Sequence, residues 1–420
     1  MGKEGKPYGG LGRRLVYPRV IEARNYGNQL TLFINEDITL SLEPADIFPE
    51  TLLLRYDEDG NPVKQYMNGT ELNKMVYHDT DQRAAVSVER DNGLRVHGII
   101  GESLRIKPVN IMGQSSAGLI AHEIFGVDEH FANTRGDYFA VPPLQPAQFI
   151  KERSVQVPTV LRPEILMVMD TDRYKNLKKT MKAALYAGVL LAAVNIRYSS
   201  MDNPKLIARL CAIQMLSKKL RKELYKYVTY QNTTYLEVKA TLISFQLEVQ
   251  KTQYAPYDAV LLLTKKLRRV RTGIKDTTVL GLAYVAGVCL ETKVALLEDD
   301  GFSQSGVHTA AHELAHVETE YDCLRTRKFQ KHLQTSRLPG SFTTPNETCE
   351  MKLQAHNHAG GFHEDKDGML EQCLLYCKTI PDQNGDVWNV NVTAEDGTPC
   401  SNGKPPKICI AEQCVVRKKN

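Results

Sequence analysis

Apolar and polar positions alternate with a period of two through the first third of the chain. Residues 30–34 and 38–42 flank the turn Asn35-Glu36-Asp37, residues 52–56 run into the turn-forming stretch 57–62, and residues 84–88 precede Asp91-Asn92-Gly93. Short apolar runs bounded by Asn, Asp, Gly and Pro predict strands joined by tight turns. Residues 1–150 therefore predict a β-rich domain with no cysteine and no chemical motif of its own. Residues 151–162 read as a linker. Pro142, Pro143 and Pro146 lead into it, and Lys151, Glu152, Arg153 and Pro158 give it the proline and charge density at which proteases usually reach a chain. Cleavage near Arg153 or Arg162 would separate the first domain from the rest.

From Pro163 the period changes. Residues 165–169 predict a buried strand, and residues 172–197 repeat apolar positions at helical spacing. Residues 206–215 and 259–263 predict further strands, and residues 236–250 a second helix. Residues 280–289 and 293–298 then lead past Gly301 and Gly306 to a helix beginning near Val307. Strands alternating with helices predict an α/β sandwich over 163–380. Within it, 346–368 is polar and carries His356, His358 and His363 near Gly360-Gly361; without regular histidine spacing it reads as a solvated loop rather than a metal site. Residues 381–420 have few apolar side chains and need disulfides to hold a shape.

Length and composition change this picture in one respect, the compartment. A chain of 420 residues with 42% hydrophobic and 24% charged residues has ample material for two or three globular domains. A net charge of +4 does not call for nucleic acid or an anionic membrane; the basic run at 265–271 reads as a solvated face or loop. The longest apolar run, 183–194, is broken by Tyr186 and Gly188, too short to span a bilayer, and predicts a buried helix. Cysteine usage is uneven. Six of the nine cysteines (Cys349, Cys373, Cys377, Cys400, Cys409 and Cys414) fall close together, as in a disulfide-stapled module, while Cys211, Cys289 and Cys323 precede them. With Asn-x-Ser/Thr sequons at Asn68, Asn232, Asn346 and Asn391, this predicts a secreted protein whose signal peptide is missing from the chain. An odd count leaves one thiol free, paired between chains, or without its partner.

The helix near Val307 carries the chemistry. In Ala310-Ala311-His312-Glu313-Leu314-Ala315-His316 the two histidines stand four residues apart and share a helix face, so both imidazoles can reach one ion with Glu313 beside them. A chain with 11 histidines would contain His-Glu-x-x-His by chance only about 0.02 times. The flanking alanines and leucine make the helix apolar and buried rather than a surface helix with solvated histidines. Catalytic zinc takes three protein ligands and leaves a position for water. His312 and His316 supply two, and Glu313 is placed to take a proton from the water. Glu318, Glu320 and Asp322 all follow within two turns; Asp322, six residues after His316, is the favoured third ligand because the chain can leave the helix and turn back. One catalytic Zn2+ is expected.

These residues resemble the reprolysin branch of the metzincin zinc proteases, and most closely the secreted metalloproteases of tick saliva. The resemblance extends to residues 15–20, 37–40 and 104–108, which are similar to the propeptide of those proteins; to 163–166, similar to the start of their catalytic domain; and to 396–400 with Cys409 and Cys414, similar to their cysteine-rich tail. Residues 281–289, with 293–299, resemble the segment leading to the edge strand that pairs with extended substrate. The family implies a twisted mixed sheet with long helices at 163–380, preceded by a β-rich propeptide domain and followed by a small disulfide-rich tail. It also implies a zinc endopeptidase made as a zymogen and acting on extracellular proteins. The chain departs from the family pattern HExxHxxGxxH, which less often ends in Asp. Thr319 stands at the glycine, where a positive φ would cost a β-branched residue roughly 1–2 kcal/mol, and Asp322 stands at the third ligand. Met369 is the candidate for the methionine turn beneath the metal. With no cysteine in the first domain, latency has to come from steric occlusion. Thr319 favours an alternative, a catalytically impaired protease-like binding protein acting through its cysteine-rich tail; a cytosolic zinc hydrolase would leave the cysteines unexplained.

Overall fold

The computed structural model describes residues 13–21, 29–58, 60–109, 119–127, 138–141, 159–171, 174, 180–201, 204–230, 232–264, 267–271, 274–284, 287–288, 290–317, 340, 344–354, 358–363, 368–381, 385–395, 397–401, 403, 406–410 and 413–416. Thr319, Asp322, Glu318, Glu320, Cys289, Cys323, His356 and most of the 151–162 linker lie outside them, as does the side chain of His316. The chain forms two compact units. One comprises Met1–Asp57, Gln65–Val249 and Tyr257–Thr326, the other Glu58–Lys64, Gln250–Pro256 and Arg327–Asn420.

Through the first part of the chain the alternating pattern becomes strands β1 (Arg14–Val16), β2 (Arg19–Ile21), β3 (Leu30–Asn35), β4 (Ile38–Pro44), β5 (Thr51–Glu58) and β6 (Asn61–Asn68), the last two meeting in the segment Glu58–Lys64. After the short helix α1 (Gly69–Asn73) come β7 (Val76–Asp79), β8 (Ala84–Glu89), β9 (Arg95–Ile100), β10 (Leu104–Pro108) and β11 (His122–Gly126). Nine of these form one sheet in the order β1-β11-β10-β9-β8-β7-β4-β3-β2. The β3–β4 turn is held by Asn35 Oδ1, which accepts from the N–H groups of Asp37 and Ile38. Leu30, Leu32 and Ile34 alternate into a core with Leu40, Leu42, Val86 and Val96, as a half-buried antiparallel sheet requires.

Strands β5 and β6 leave that sheet and join a second one, where β5 lies parallel to a strand from beyond Pro163. This sheet draws on β12 (Tyr138–Val141), β14 (Glu164–Asp170), β16 (Arg209–Leu216), β19 (Ala259–Thr264), β22 (Gly281–Tyr284) and β23 (Val294–Glu298), in the order β12-β22-β23-β19-β14-β16-β5-β6. Its centre is parallel, and β22 runs antiparallel to β23. Every residue of β14 and β19 is buried, the signature of a sheet covered on both faces. Helix α2 (Thr180–Tyr198) packs on β7 and β8 of the first sheet and β16 of the second, which is why it is apolar all round. The expected start of this helix at 172 falls partly outside the described residues. The remaining elements are β13 (Val160–Leu161), β15 (Lys205–Leu206), α3 (Lys218–Leu224), β17 (Tyr227–Tyr230), β18 (Thr233–Glu237), α4 (Val238–Val249), β20 (Leu267–Arg271) and β21 (Ile274–Val279). The helix expected from 236 begins at Val238, because Leu236 and Glu237 pair in β18 and the Glu237 carboxylate accepts from the Lys239 and Ala240 N–H groups. The fold is mixed α/β and rich in strands, and no described helix is long and apolar enough to cross a membrane.

The second unit corrects one expectation. The polar stretch after 344 is not all loop: α6 (Pro345–Gln354) is a helix. Thr344 Oγ1 accepts from the Glu347 N–H while the Glu347 carboxylate accepts from the Thr344 N–H, a reciprocal cap with proline at the first helical position. The strands β24 (Gly360–Phe362), β25 (Leu374–Thr379), β26 (Asn389–Thr393), β27 (Pro399–Ser401), β28 (Lys407–Ile410) and β29 (Gln413–Val416) form two three-stranded sheets. Disulfides Cys349–Cys377, Cys373–Cys409 and Cys400–Cys414 form much of the core with Leu353, Leu375 and Val392. Each crosslink stabilises by roughly 2–4 kcal/mol, as a unit with so few apolar residues needs. Cys211 carries no disulfide and is buried.

Candidate active site

The motif lies on α5 (Val307–Val317). Val307, Ala310, Ala311 and Leu314 recur at i, i+3, i+4 and i+7, are buried, and seat the helix on α2, β22 and β23. The Tyr198 hydroxyl donates to the Ala311 carbonyl at 2.5 Å, fixing the two helices together.

The approach to α5 is organised by one buried carboxylate. Asp299 Oδ2 accepts from the hydroxyls of Tyr174 and Tyr186, both at 2.6 Å, and from the Gly301 N–H, while Oδ1 accepts from the Gly306 N–H at 2.8 Å. The Gly306 carbonyl in turn accepts from the Ala310 N–H, so the anchored loop leads directly into the first helical turn. Burial raises the Asp299 pKa, an effect that its hydroxyl and amide donors oppose, and burial pushes both tyrosine hydroxyls well above their usual range. The first sheet grips the same loop. Arg105 donates to the Ser303 carbonyl at 2.6 Å, and Phe125 stacks on Phe302 with ring centroids 5.6 Å apart. His97 Nδ1 lies 3.4 Å from Gln304 Nε2.

Glu313 is fully buried, and among the described residues neither of its carboxylate oxygens has a hydrogen-bond partner. Burial holds its pKa well above the usual carboxylate range. An unpartnered buried carboxyl costs several kcal/mol and calls for a functional explanation. Strand β22 crosses directly over it: a Cβ on Gly281 would stand 2.4 Å from Glu313 Oε1 and 2.6 Å from Thr309 Cγ2. Only glycine lets the strand come this close. Gly281→Ala should therefore lower the thermal midpoint by an amount equivalent to about 1–3 kcal/mol and displace Glu313, with loss of any Glu313-dependent activity; an unchanged melt would show that the crossing is looser than the geometry states.

His312 is partly exposed on the same helix, and the His316 backbone continues it one turn later. These residues fit a metal centre: two imidazole-bearing positions on adjacent turns beside a carboxyl that no described residue satisfies. The remaining members of the expected set, Asp322 and Thr319, lie outside the described residues. Met369 opens a single 3-10 turn (Met369–Gln372) in the second unit, preceded by Gly368 at φ 68°. Among the described residues, the close trio of metal-binding side chains is Cys373, Cys400 and Cys409, and disulfides already engage all three. Gly281, Asp299, Tyr174 and Tyr186 escaped sequence reasoning. Glycine inside an apolar strand is a signal for close backbone approach, whereas the Asp299 cluster joins residues 113 and 125 positions apart and leaves no local trace.

No family model matches the chain. Among solved structures, metalloproteinase-II from Bacteroides fragilis aligns at a TM-score of 0.29 and 11% identity over 68% of this chain and 77% of that one. In sequence, the chain is 24% identical over 312 residues to the venom metalloproteinase BumaMPs1 of Olivierus martensii, covering 72% of this chain and 78% of that protein.

Proposed function

We propose that the protein is a secreted zinc endopeptidase, made as a zymogen and acting on extracellular proteins. The observation that carries this reading is the buried Glu313 carboxyl, unpartnered among the described residues, beneath β22 on a His-Glu-x-x-His helix. Similarity to a venom metalloproteinase supports the protease class, and that similarity together with three disulfides supports an extracellular location. His312, His316 and Asp322 would hold the ion. Zinc, when bound, polarises a carbonyl and brings the pKa of water toward about 7. Glu313 then takes the proton of the attacking water on a carboxylate oxygen and delivers it to the departing amide nitrogen. Strand β22 supplies main-chain groups along which an extended peptide can add as a further strand.

That edge is taken in this chain by β12, which pairs parallel with β22 from Tyr138↔Gly281 to Val141↔Tyr284. The segment leading out of β12 is the proline-rich, charged linker, so cutting the linker frees the blocking strand. This supports steric latency without a cysteine. Limited proteolysis near Arg153 should raise casein cleavage at least tenfold, and that activity should vanish with a chelator. Equal activity before and after the cut would refute the zymogen reading, and stoichiometric zinc with no chelator-sensitive cleavage would leave the protease-like binding protein in its place.

A further inference from the structure

Charge is segregated in this chain. Segments 217–237 and 264–279 hold eleven Lys or Arg against three Asp or Glu, a net of +8 in a protein whose total is +4. These segments are contiguous in the fold: α3 runs through Tyr225 and Lys226 into β17, and the sheet order is β17-β18-β20-β21. Lys218, Lys219 and Lys222 are exposed on α3 and make no ion pair or hydrogen bond among the described residues; Lys226 is exposed and donates to the Glu223 carbonyl. Of the three acids, Glu237 is engaged with the backbone N–H groups at the start of α4. On the strands, the Arg268 guanidinium lies 4.1 Å from the centre of the Tyr235 ring, and Tyr227 is 53% exposed. Arg269 and Arg271 follow on β20, and Lys275 on β21, across an antiparallel pairing.

Apart from Arg221, which pairs with Asp170 at 3.4 Å, this concentration of like charge in contiguous segments costs self-repulsion, which an anionic partner removes. We propose that α3 and the β17-β18-β20-β21 sheet form a binding surface for a sulfated glycosaminoglycan. Its sulfates would be met by Lys218, Lys219, Lys222 and Lys226. The choice of polyanion rests on the secreted reading, since outside the cell sulfated polysaccharide is the abundant linear polyanion; the charge argument itself does not depend on proteolysis. Such a surface would hold the enzyme in extracellular matrix near its substrates.

The test uses the full chain and a heparin decasaccharide in 0.15 M salt. The triple variant Lys218→Gln, Lys219→Gln, Lys222→Gln lowers the net charge from +4 to +1. So does the control Arg13→Gln, Lys74→Gln, Arg83→Gln, which neutralises exposed residues outside α3 and that sheet. The first should weaken binding at least tenfold and reduce the salt slope by about 3, the second less than twofold. Equal losses in both, or none in either, would overturn the assignment. Desulfated heparin or single-stranded DNA of matched charge competing as well as heparin would overturn the choice of ligand. On the unaltered protein, heparin should protect Lys218, Lys219, Lys222 and Lys226 from acetylation ahead of other exposed lysines, a reading that needs no variant to fold. The Glu313→Gln protein should bind heparin like wild type, so failure of this proposal and failure of the protease reading are distinguishable.

Discussion

Glu313→Gln should leave the fold intact and zinc bound while lowering peptide cleavage by about 10²- to 10⁴-fold. The amide has the size of the carboxyl, so it fits under Gly281 without new contact. It cannot take a proton from water, which is the step asked of Glu313. Stability should hold or rise, because the native side chain is fully buried with both oxygens unpartnered among the described residues and the substitution removes an ionisable group from that site. His312→Ala should behave differently, losing zinc and activity together. Metal content by mass spectrometry, a melting curve and kcat/KM on a quenched peptide separate the two. Cleavage by the Glu313→Gln protein above a tenth of the wild-type rate would remove Glu313 from the chemistry.

The part of this site that was legible in the sequence is the part that is local. A spacing of four residues on a helix places His312 and His316 on one face whatever the rest of the chain does. Residues 165–169 and 259–263 were likewise legible as buried strands, since β14 and β19 have both faces covered and carry uninterrupted apolar runs. What was hidden depends on distant partners. Asp299 reads as an ordinary acidic residue in a Gly- and Ser-containing loop until Tyr174 and Tyr186 are brought to it. The divergence of β5 into the second sheet cannot be read from its own alternation, which fits either sheet. The helix at 345–354 was within reach: Thr344-Pro345-Asn346-Glu347 is a helix start, outweighed by polar composition when composition should have counted for less.

Acidification from pH 6.5 toward 4 should destabilise the first sheet steeply and loosen its grip on the loop that leads into α5. His122 is completely buried on β11; its Nε2 accepts from the Val96 N–H at 2.9 Å, and Nδ1 faces the Ile120 carbonyl at 3.0 Å. These partners fit the neutral ring with its proton on Nδ1. A second proton on Nε2 would confront the Val96 N–H and forfeit that bond. Burial, opposed by the Ile120 carbonyl and reinforced by Arg95, lowers the His122 pKa from 6.5 to about 4. Burial with Lys107, Lys182 and His122 lowers that of His97, the residue beside Gln304, also to about 4. Both folded-state pKa values lie below the unfolded value, so the unfolded chain takes up protons first as pH falls. The associated stability is therefore complete above about 6.5 and is lost progressively until about 4, below which both states are protonated and the dependence ends. The loss amounts to about 3 kcal/mol for His122, and to less for the partly exposed His97. Thermal midpoints measured from pH 8 to pH 4 should fall with a slope that His122→Gln flattens most and His97→Gln flattens partly. Hydrogen exchange at pH 5 should rise in β9 to β11 and in residues 299–306 before it rises in β14 or β19. Parallel pH slopes in wild type and both variants would assign the acid sensitivity to other groups.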